Sequence, residues 1–395
     1  MQRCIKDHSA AAVNSCVEER KAADACPGYI FMRDLRKVKR QKTEKSPSKG
    51  AAGRKPVSLK ELAELVGLAP ATVSLVINRS RVADSIPQET KNRIFEAVEK
   101  YKYRPSFFAR SLRAQRSFTI GVIVPEVSEG YSAAVMSGVE EHLLQEGYFY
   151  FVASHRHRAD LVDEYPRLFL ERSVDGMIAV DTPWTLSLSV PVVTVSGHNK
   201  VNGVSNIILD HARAAEVALR HLWQLGHRKI AFIKGQEFSS DTNVRWTNIE
   251  KTARAMGLPV SSALTTQLQG DSPTPQPGYE ATKRLLASHK PFTALFAFND
   301  ISAMGAIRAL REAGLRVPQD VSVVGFDDIE NAAYQNPALT TVRQPLRKMG
   351  RIAAEILLRR ISRSQADFAG GEMMVEPELI IRDTTCSPRD GASRS

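Results

Sequence analysis

Cysteine is scarce in this chain. Four occur in 395 residues, Cys4, Cys16, Cys26 and Cys386, and the long stretch between the last two contains none, so a disulfide framework is excluded and a reducing compartment fits. Long apolar runs are missing too. No stretch of about 18 apolar residues occurs, and the N-terminus lacks a basic start followed by an apolar segment, which predicts a cytoplasmic protein without a membrane partner. Catalytic signatures are absent as well: there is no G-x-S-x-G elbow, no phosphate-cradling G-x-x-x-x-G-K-[ST] loop, no H-E-x-x-H pair and no G-x-G-x-x-G after a strand. No enzyme activity, catalytic residue or cofactor is expected. Cys4, His8, Cys16 and Cys26 do not follow zinc-finger spacing, and His155-Arg156-His157 reads as a surface loop, so no metal ligand is expected either.

Acidic residues are outnumbered. The chain has 54 Lys and Arg against 43 Asp and Glu, a formal charge of +11, which makes a polyanion the first partner to consider. The excess is confined to one end. Residues 1–56 carry a net +8 and residues 57–117 a net +5, leaving a net −2 for the remainder. A basic head on a near-neutral body suggests a nucleic-acid reader joined to a separate sensor.

What is present divides into segments. Residues 1–56, with little apolar periodicity and a basic stretch RDLRKVKRQKTEKSPSKGAAGRK, read as a disordered arm. From 57 to 105, Ser58 and Glu61 have the form of a capping box, Leu59, Leu62, Ala63 and Val66 make an amphipathic helix, and Gly67 ends it. Pro70 opens a second helix with Val73, Val76 and Ile77 inward, and a third starts at about Pro87 with Ile94, Ala97, Val98 and Tyr101 inward. The tight first turn gives an all-α helix-turn-helix unit, although a plain helical hairpin has the same pattern. Its second helix presents Pro70, Ala71, Ser74, Leu75 and Asn78 outward, with Thr72, Ser74 and Asn78 able to reach phosphates or bases. Residues 106–117 contain SFFARSLRAQR, where Leu112 between Arg110 and Arg113 could wedge into a minor groove; an ordinary basic linker reads the same way.

From 118 to 385 the pattern alternates. Apolar runs TIGVIV, FYFVA, DGMIAV, VVTV, KIAFI, TALFAF and VSVVGF are separated by amphipathic stretches at 132–146, 212–225, 278–288 and 301–313. Such alternation predicts parallel α/β sheets in two Rossmann-like subdomains, with a small-molecule cleft between them. Arg245, Asn299-Asp300 and Asp327-Asp328 fall at or after strand ends, where they could orient a ligand or merely cap and solvate a loop.

These residues resemble the LacI/GalR family of bacterial transcriptional repressors. The resemblance rests on VSLKELAELVGLAPATVSLVIN, on YRPSFFARSLR, on LGHRKIAFI, and on FNDISAMGAIRALREAGLRVPQDVSVVGFDDIENAAYQNPALTTVRQPL. It implies a homodimer on a palindromic operator, with the second helix in the major groove and the hinge contributing Ala109, Leu112 and Arg113, Leu112 as the intercalating residue. It also implies a periplasmic-binding-protein-like effector domain crossed by three strands, with a carbohydrate-like effector held by Ser196, Leu209, Arg245, Asn299 and Asp327. Leu75 replaces a frequent arginine, Ala69 a serine, and Ser196 an aspartate. The expected subdomains are 118–209 with 345–372 and 210–343 with 373–385, followed by a flexible tail at 386–395 too short for a tetramerisation helix. The competing reading is a solute sensor of the periplasmic-binding type with no role on DNA.

Overall fold

A computed structural model describes residues 57–78, 80–103, 111, 115–128, 130–362 and 370–389. The chain divides at 104/105 into two compact units. The arm, most of the hinge and the final residues lie outside the described residues.

In the first unit, α1 (Leu59–Val66) starts at the expected capping box: Glu61 N donates to Ser58 Oγ at 3.2 Å and Ser58 N donates to Glu61 Oε2 at 2.6 Å. Gly67 ends it in the left-handed region, φ 66°. Helix α2 (Pro70–Ile77) follows with proline in its first turn, then a 3-10 turn at Arg81–Ser85, then α3 (Gln88–Lys100). The extra length between the second and third helices is therefore ordered, and Ala83 within it plugs the core formed by Leu62, Ala63, Val66, Val73, Val76, Ile94 and Ala97. With so small a core, local terms matter. Ser58→Ala should remove about 1 kcal/mol from this unit. A lower midpoint for its helices in denaturant unfolding is expected, and an unchanged one would show that the cap does not hold the helix.

The second unit begins with β1 (Thr119–Val124), buried along its length, as a strand covered on both faces must be. Then come α4 (Gly130–Gln145), β2 (Phe149–Ser154), α5 (Ala159–Glu171), β3 (Gly176–Val180), β4 (Val192–Val195) and β5 (Val204–Leu209). The second lobe continues with α6 (His211–Gln224), β6 (Ile230–Lys234), α7 (Asp241–Ala255), β7 (Thr265–Gln267), α8 (Gln276–Ala287), β8 (Ala294–Phe296), α9 (Asp300–Glu312), β9 (Ser322–Asp327), α10 (Glu330–Tyr334) and β10 (Thr340–Arg343). The chain returns to the first lobe for α11 (Leu346–Ser362) and β11 (Glu372–Val375), and ends in the second with β12 (Glu378–Ile380). Each sheet has six strands, ordered β11-β5-β4-β3-β1-β2 and β12-β10-β9-β8-β6-β7. All neighbours are parallel except β10 with β12. The strand order therefore reverses at β1/β3 in one lobe and at β6/β8 in the other. Ligands of such sheets bind beyond the carboxyl ends of the strands at these points.

Two boundaries differ from expectation. The first sheet keeps its last strand through Val375, which pairs with Leu209, so the third crossing lies after 375 rather than at 372/373. The tail at 386 is not loose at its start either. Cys386 N donates to Ser322 Oγ at 3.0 Å, and Arg389 pairs with Asp320 at 3.1 Å, because the end of the chain runs along the second lobe.

Each lobe contains a helix crossing that only glycine permits. A Cβ at Gly138 of α4 would lie 1.9 Å from the Arg347 carbonyl oxygen, and one at Gly350 of α11 would lie 1.9 Å from that of Val135. In the second lobe, Gly278 of α8 and Gly305 of α9 approach Ser302 and Pro275 in the same way, at 2.2 and 2.0 Å. Backbone meets backbone at both crossings, so no side chain can rotate aside.

Candidate functional site

In the first unit, α2 buries Val73 and Val76 and leaves Pro70, Ala71 and Asn78 exposed, with Thr72 and Ser74 partly so. These positions form one outward face, as expected. Leu75 is less available than its spacing suggests, since it is half-buried against the unit's core. The Asn78 amide is folded back, its Nδ2 donating to Ser74 O at 2.8 Å and Ser74 Oγ at 3.2 Å, so it must release these groups before reaching a base or phosphate. Ala69 offers no side-chain acceptor at the start of α2, leaving first-turn N–H groups available to an anion. Ala109, Leu112 and Arg113 lie outside the described residues.

In the second unit, a cleft opens where both sheets reverse order. Tyr131 on α4 and Asp181 after β3 come from one lobe; Phe238, Asp241 and Arg245 after β6, Asn299 after β8 and Asp327 ending β9 come from the other. Arg245, Asn299 and Asp327 thus meet in one lining. Ser196 stands just behind it, accepting a hydrogen bond from Tyr131 Oη at 2.9 Å. Leu209 does not belong to the wall. Its β5 position, paired with Val375, turns its side chain into the hydrophobic core at 2% exposure. His157, expected to be plain loop surface, also lines the cleft, where it stacks on Phe238 at 3.7 Å between ring centroids.

Electrostatics centre on Arg245. Its guanidinium lies between the rings of Phe298, 4.4 Å away, and Phe326, 3.7 Å away, while Nη2 donates to Asp241 Oδ2 at 2.6 Å. Both side chains of this pair are buried. Burial by itself would raise the Asp241 carboxyl, yet the facing His211 and Arg245 and the hydrogen bond from His198 hold it well below the ordinary carboxylate range. Burial lowers His211, against the pull of Asp241. Tyr131 is pushed well up, first by burial and then by Asp241 and Asp181, so its hydroxyl stays a donor.

The remaining polar residues have structural duties. Asp300 is buried, accepting from Thr341 Oγ1 at 2.5 Å and from Ile329 N at 2.9 Å, and burial raises its carboxyl well above the usual range. Asp328 is held by Arg343 and Arg382, both at 2.7 Å. Asp327, besides lining the cleft, accepts from Gln344 Nε2 at 2.7 Å in the turn between β10 and α11.

Several cleft loops bend where side-chain-bearing residues seldom do. Asp181, Ser196, His198, Asp327 and Asp328 all have positive φ, from 39° at Asp181 to 105° at Asp327. Strained backbone of this kind gathers at binding sites, held there by surrounding contacts. Asp181, Phe238 and Asp241 escaped the sequence reading. A signal existed: Asp181 directly follows a buried strand, and Asp241 stands four residues before Arg245 on α7, the spacing of a helical ion pair.

Residues 58–106 match the family described as "Bacterial regulatory proteins, lacI family", and residues 219–385 match "Periplasmic binding protein-like domain". The chain is 33% identical over 340 residues to the HTH-type transcriptional repressor PurR of Haemophilus influenzae, covering 84% of this chain and 99% of that protein. It is 32% identical over 333 residues to PurR of Actinobacillus pleuropneumoniae, with 82% and 97% covered. Among solved structures, the lac repressor dimer bound to operator and the anti-inducer ONPF superimposes with a TM-score of 0.71 at 26% identity, covering 84% of this chain and 100% of that one. The regulator CelR in complex with cellobiose gives 0.61 at 27%, covering 83% and 99%. With its helix-turn-helix unit, its two parallel-sheet lobes and this coverage of known repressors, the chain belongs to the LacI family of bacterial transcriptional regulators.

Proposed function

We propose that this protein is a cytoplasmic, homodimeric repressor whose grip on a palindromic operator is set by a small polyhydroxylated molecule in the interlobe cleft. The observation that carries the reading is the cleft lining itself. Asp181 and Asp327 line it with carboxylates, whose oxygens accept hydrogen bonds from hydroxyls, and the stacked His157 and Phe238 offer an aromatic edge for a sugar's apolar face. Arg245 is already neutralised by Asp241, so the site favours an uncharged or cationic sugar over a sugar acid. The relatives point the same way, since CelR was solved with cellobiose and an Enterococcus faecium regulator of this family with ribose. Dimerisation has a surface ready: edge strand β2 exposes Phe149, Phe151 and Val152.

Pro70, Ala71, Thr72, Ser74, Leu75 and Asn78 are assigned to the major groove, and Ala109, Leu112 and Arg113 to the hinge contact. A ligand that binds one lobe arrangement better than the other then shifts the DNA-competent population. The test is fluorescence anisotropy on operator-length palindromes from the protein's own genomic neighbourhood, alongside thermal-shift screening of neutral sugars, amino sugars and sugar acids. Sequence-specific binding altered by a sugar is expected. Leu112→Ala should weaken operator binding at least tenfold and reduce DNA bending; unchanged affinity and bending would remove the wedge from the mechanism. Preferential stabilisation by sugar acids would overturn the assigned ligand charge.

A further inference from the structure

At one wall of the cleft, three side chains from separate segments of the sequence converge. His198 follows β4 on a turn with φ 51°, shaped by Gly197 N donating to Asn206 Oδ1 at 3.2 Å. His211 is the first residue of α6, and Asp241 the first of α7. One ligand atom from each lies within 4.8 Å of the others. His198 Nε2 is 2.5 Å from Asp241 Oδ1, and His211 Nε2 is 3.5 Å from the same oxygen.

Ordinary hydrogen bonding leaves this cluster incomplete. His211 has a side chain only 2% exposed; its Nδ1 meets no partner and its Nε2 reaches Asp241 Oδ1 only at 3.5 Å, a poor hydrogen bond, although a neutral imidazole always carries one donor and one acceptor. Buried polar atoms without partners are costly, and each such case calls for an explanation. We infer that His198, His211 and Asp241 form a divalent transition-metal site, best suited to zinc, that ties the first lobe to the second.

The donor set is two imidazoles and a carboxylate, the composition of a zinc site with one coordination position left open. Asp241 is arranged for the role: Oδ2 is fixed by Arg245, which leaves Oδ1 directed at the two histidines. A hydrogen-bonded carboxylate is the usual support for a metal ligand. Tetrahedral ligands at zinc distances lie about 3.3 Å apart. The His198–Asp241 edge must therefore lengthen slightly and the longest edge shorten, changes within reach of a side chain on a turn. Zinc takes the place of the proton between His198 Nε2 and Asp241 Oδ1, and that proton is released to solvent. The positive charge so introduced beside Arg245 is offset by the nearby cleft carboxylates, Asp327 of the same lobe and Asp181 of the other. Because His198 belongs to one lobe and His211 and Asp241 to the other, occupancy favours one lobe arrangement. The inference depends neither on the effector's identity nor on operator binding.

The test uses full-length protein, stripped with chelator and dialysed against buffered zinc, with metal content measured per chain. One zinc per chain is expected, with the affinity at least 100-fold weaker in His198→Ala and in His211→Asn, each checked for native circular dichroism. Cobalt loading of unaltered protein gives a readout that needs no variant: a tetrahedral spectrum with nitrogen and oxygen donors and no sulfur charge-transfer band. No retained zinc would overturn the site. So would undiminished zinc in His198→Ala, or a thiolate band, either of which would move the metal to the chain's cysteines.

Discussion

Replacing Arg245 with methionine should destabilise the sensor unit by about 3–5 kcal/mol, the penalty for removing one partner of a buried ion pair, and should abolish the effector response. The methionine fills much of the volume between Phe298 and Phe326 but carries no charge, so the loss falls on Asp241, which would keep its buried carboxylate while losing the 2.6 Å contact. Asp241→Asn in the same chain should recover part of the stability, because the double variant buries no unbalanced charge at this pair. A double-mutant cycle by chemical denaturation measures the coupling, expected to exceed about 1 kcal/mol. Strictly additive losses would mean that the pair is not the electrostatic unit its geometry indicates. Operator binding by the double variant should persist without a ligand response, separating damage to the cleft from damage to the DNA-reading unit.

Gly350→Ala sets two physical effects against each other. Intrinsic propensity favours alanine over glycine inside a helix by about 1 kcal/mol, and Gly350 lies within α11. Packing opposes this, because the new methyl would meet a backbone carbonyl at 1.9 Å and would have to push α11 away from α4. Overpacking costs about 1–3 kcal/mol when side chains can adjust, and here the obstacle is backbone. A net loss of about 2 kcal/mol or more is therefore expected. Gly371→Ala, where nothing lies within 4 Å of the added Cβ, is the control and should be close to neutral. If thermal unfolding showed Gly350→Ala to be as stable as the control, the close helix crossing would be refuted.

The elements that sequence reading located best are those whose signal is local. Ser58 and Glu61 three residues apart announced the start of α1, and the runs TIGVIV and VSVVGF announced β1 and β9, because a strand covered on both faces is apolar along most of its length. The helices expected at 132–146, 212–225, 278–288 and 301–313 are present, each beginning one or two residues earlier. Asn299 and Asp327 reach the cleft lining because one follows and the other ends a strand, whereas Arg245 reaches it from within α7. Leu209 was misplaced for a reason that no local pattern reveals: the strand direction fixes which residue faces the cleft, and pairing with β11 turned this one inward.

By itself, the sequence determined the division of labour: a basic helix-turn-helix head and a near-neutral body of alternating strands and helices. Charge distribution and periodicity are summed along the chain and need no fold to be read. The tertiary structure alone decided that Tyr131 meets Ser196, that His198, His211 and Asp241 converge, and that glycines more than two hundred residues apart make one helix crossing possible. These are contacts between segments brought together by two interleaved sheets. Their partners are set by strand order and lobe crossing, which no window along the sequence contains.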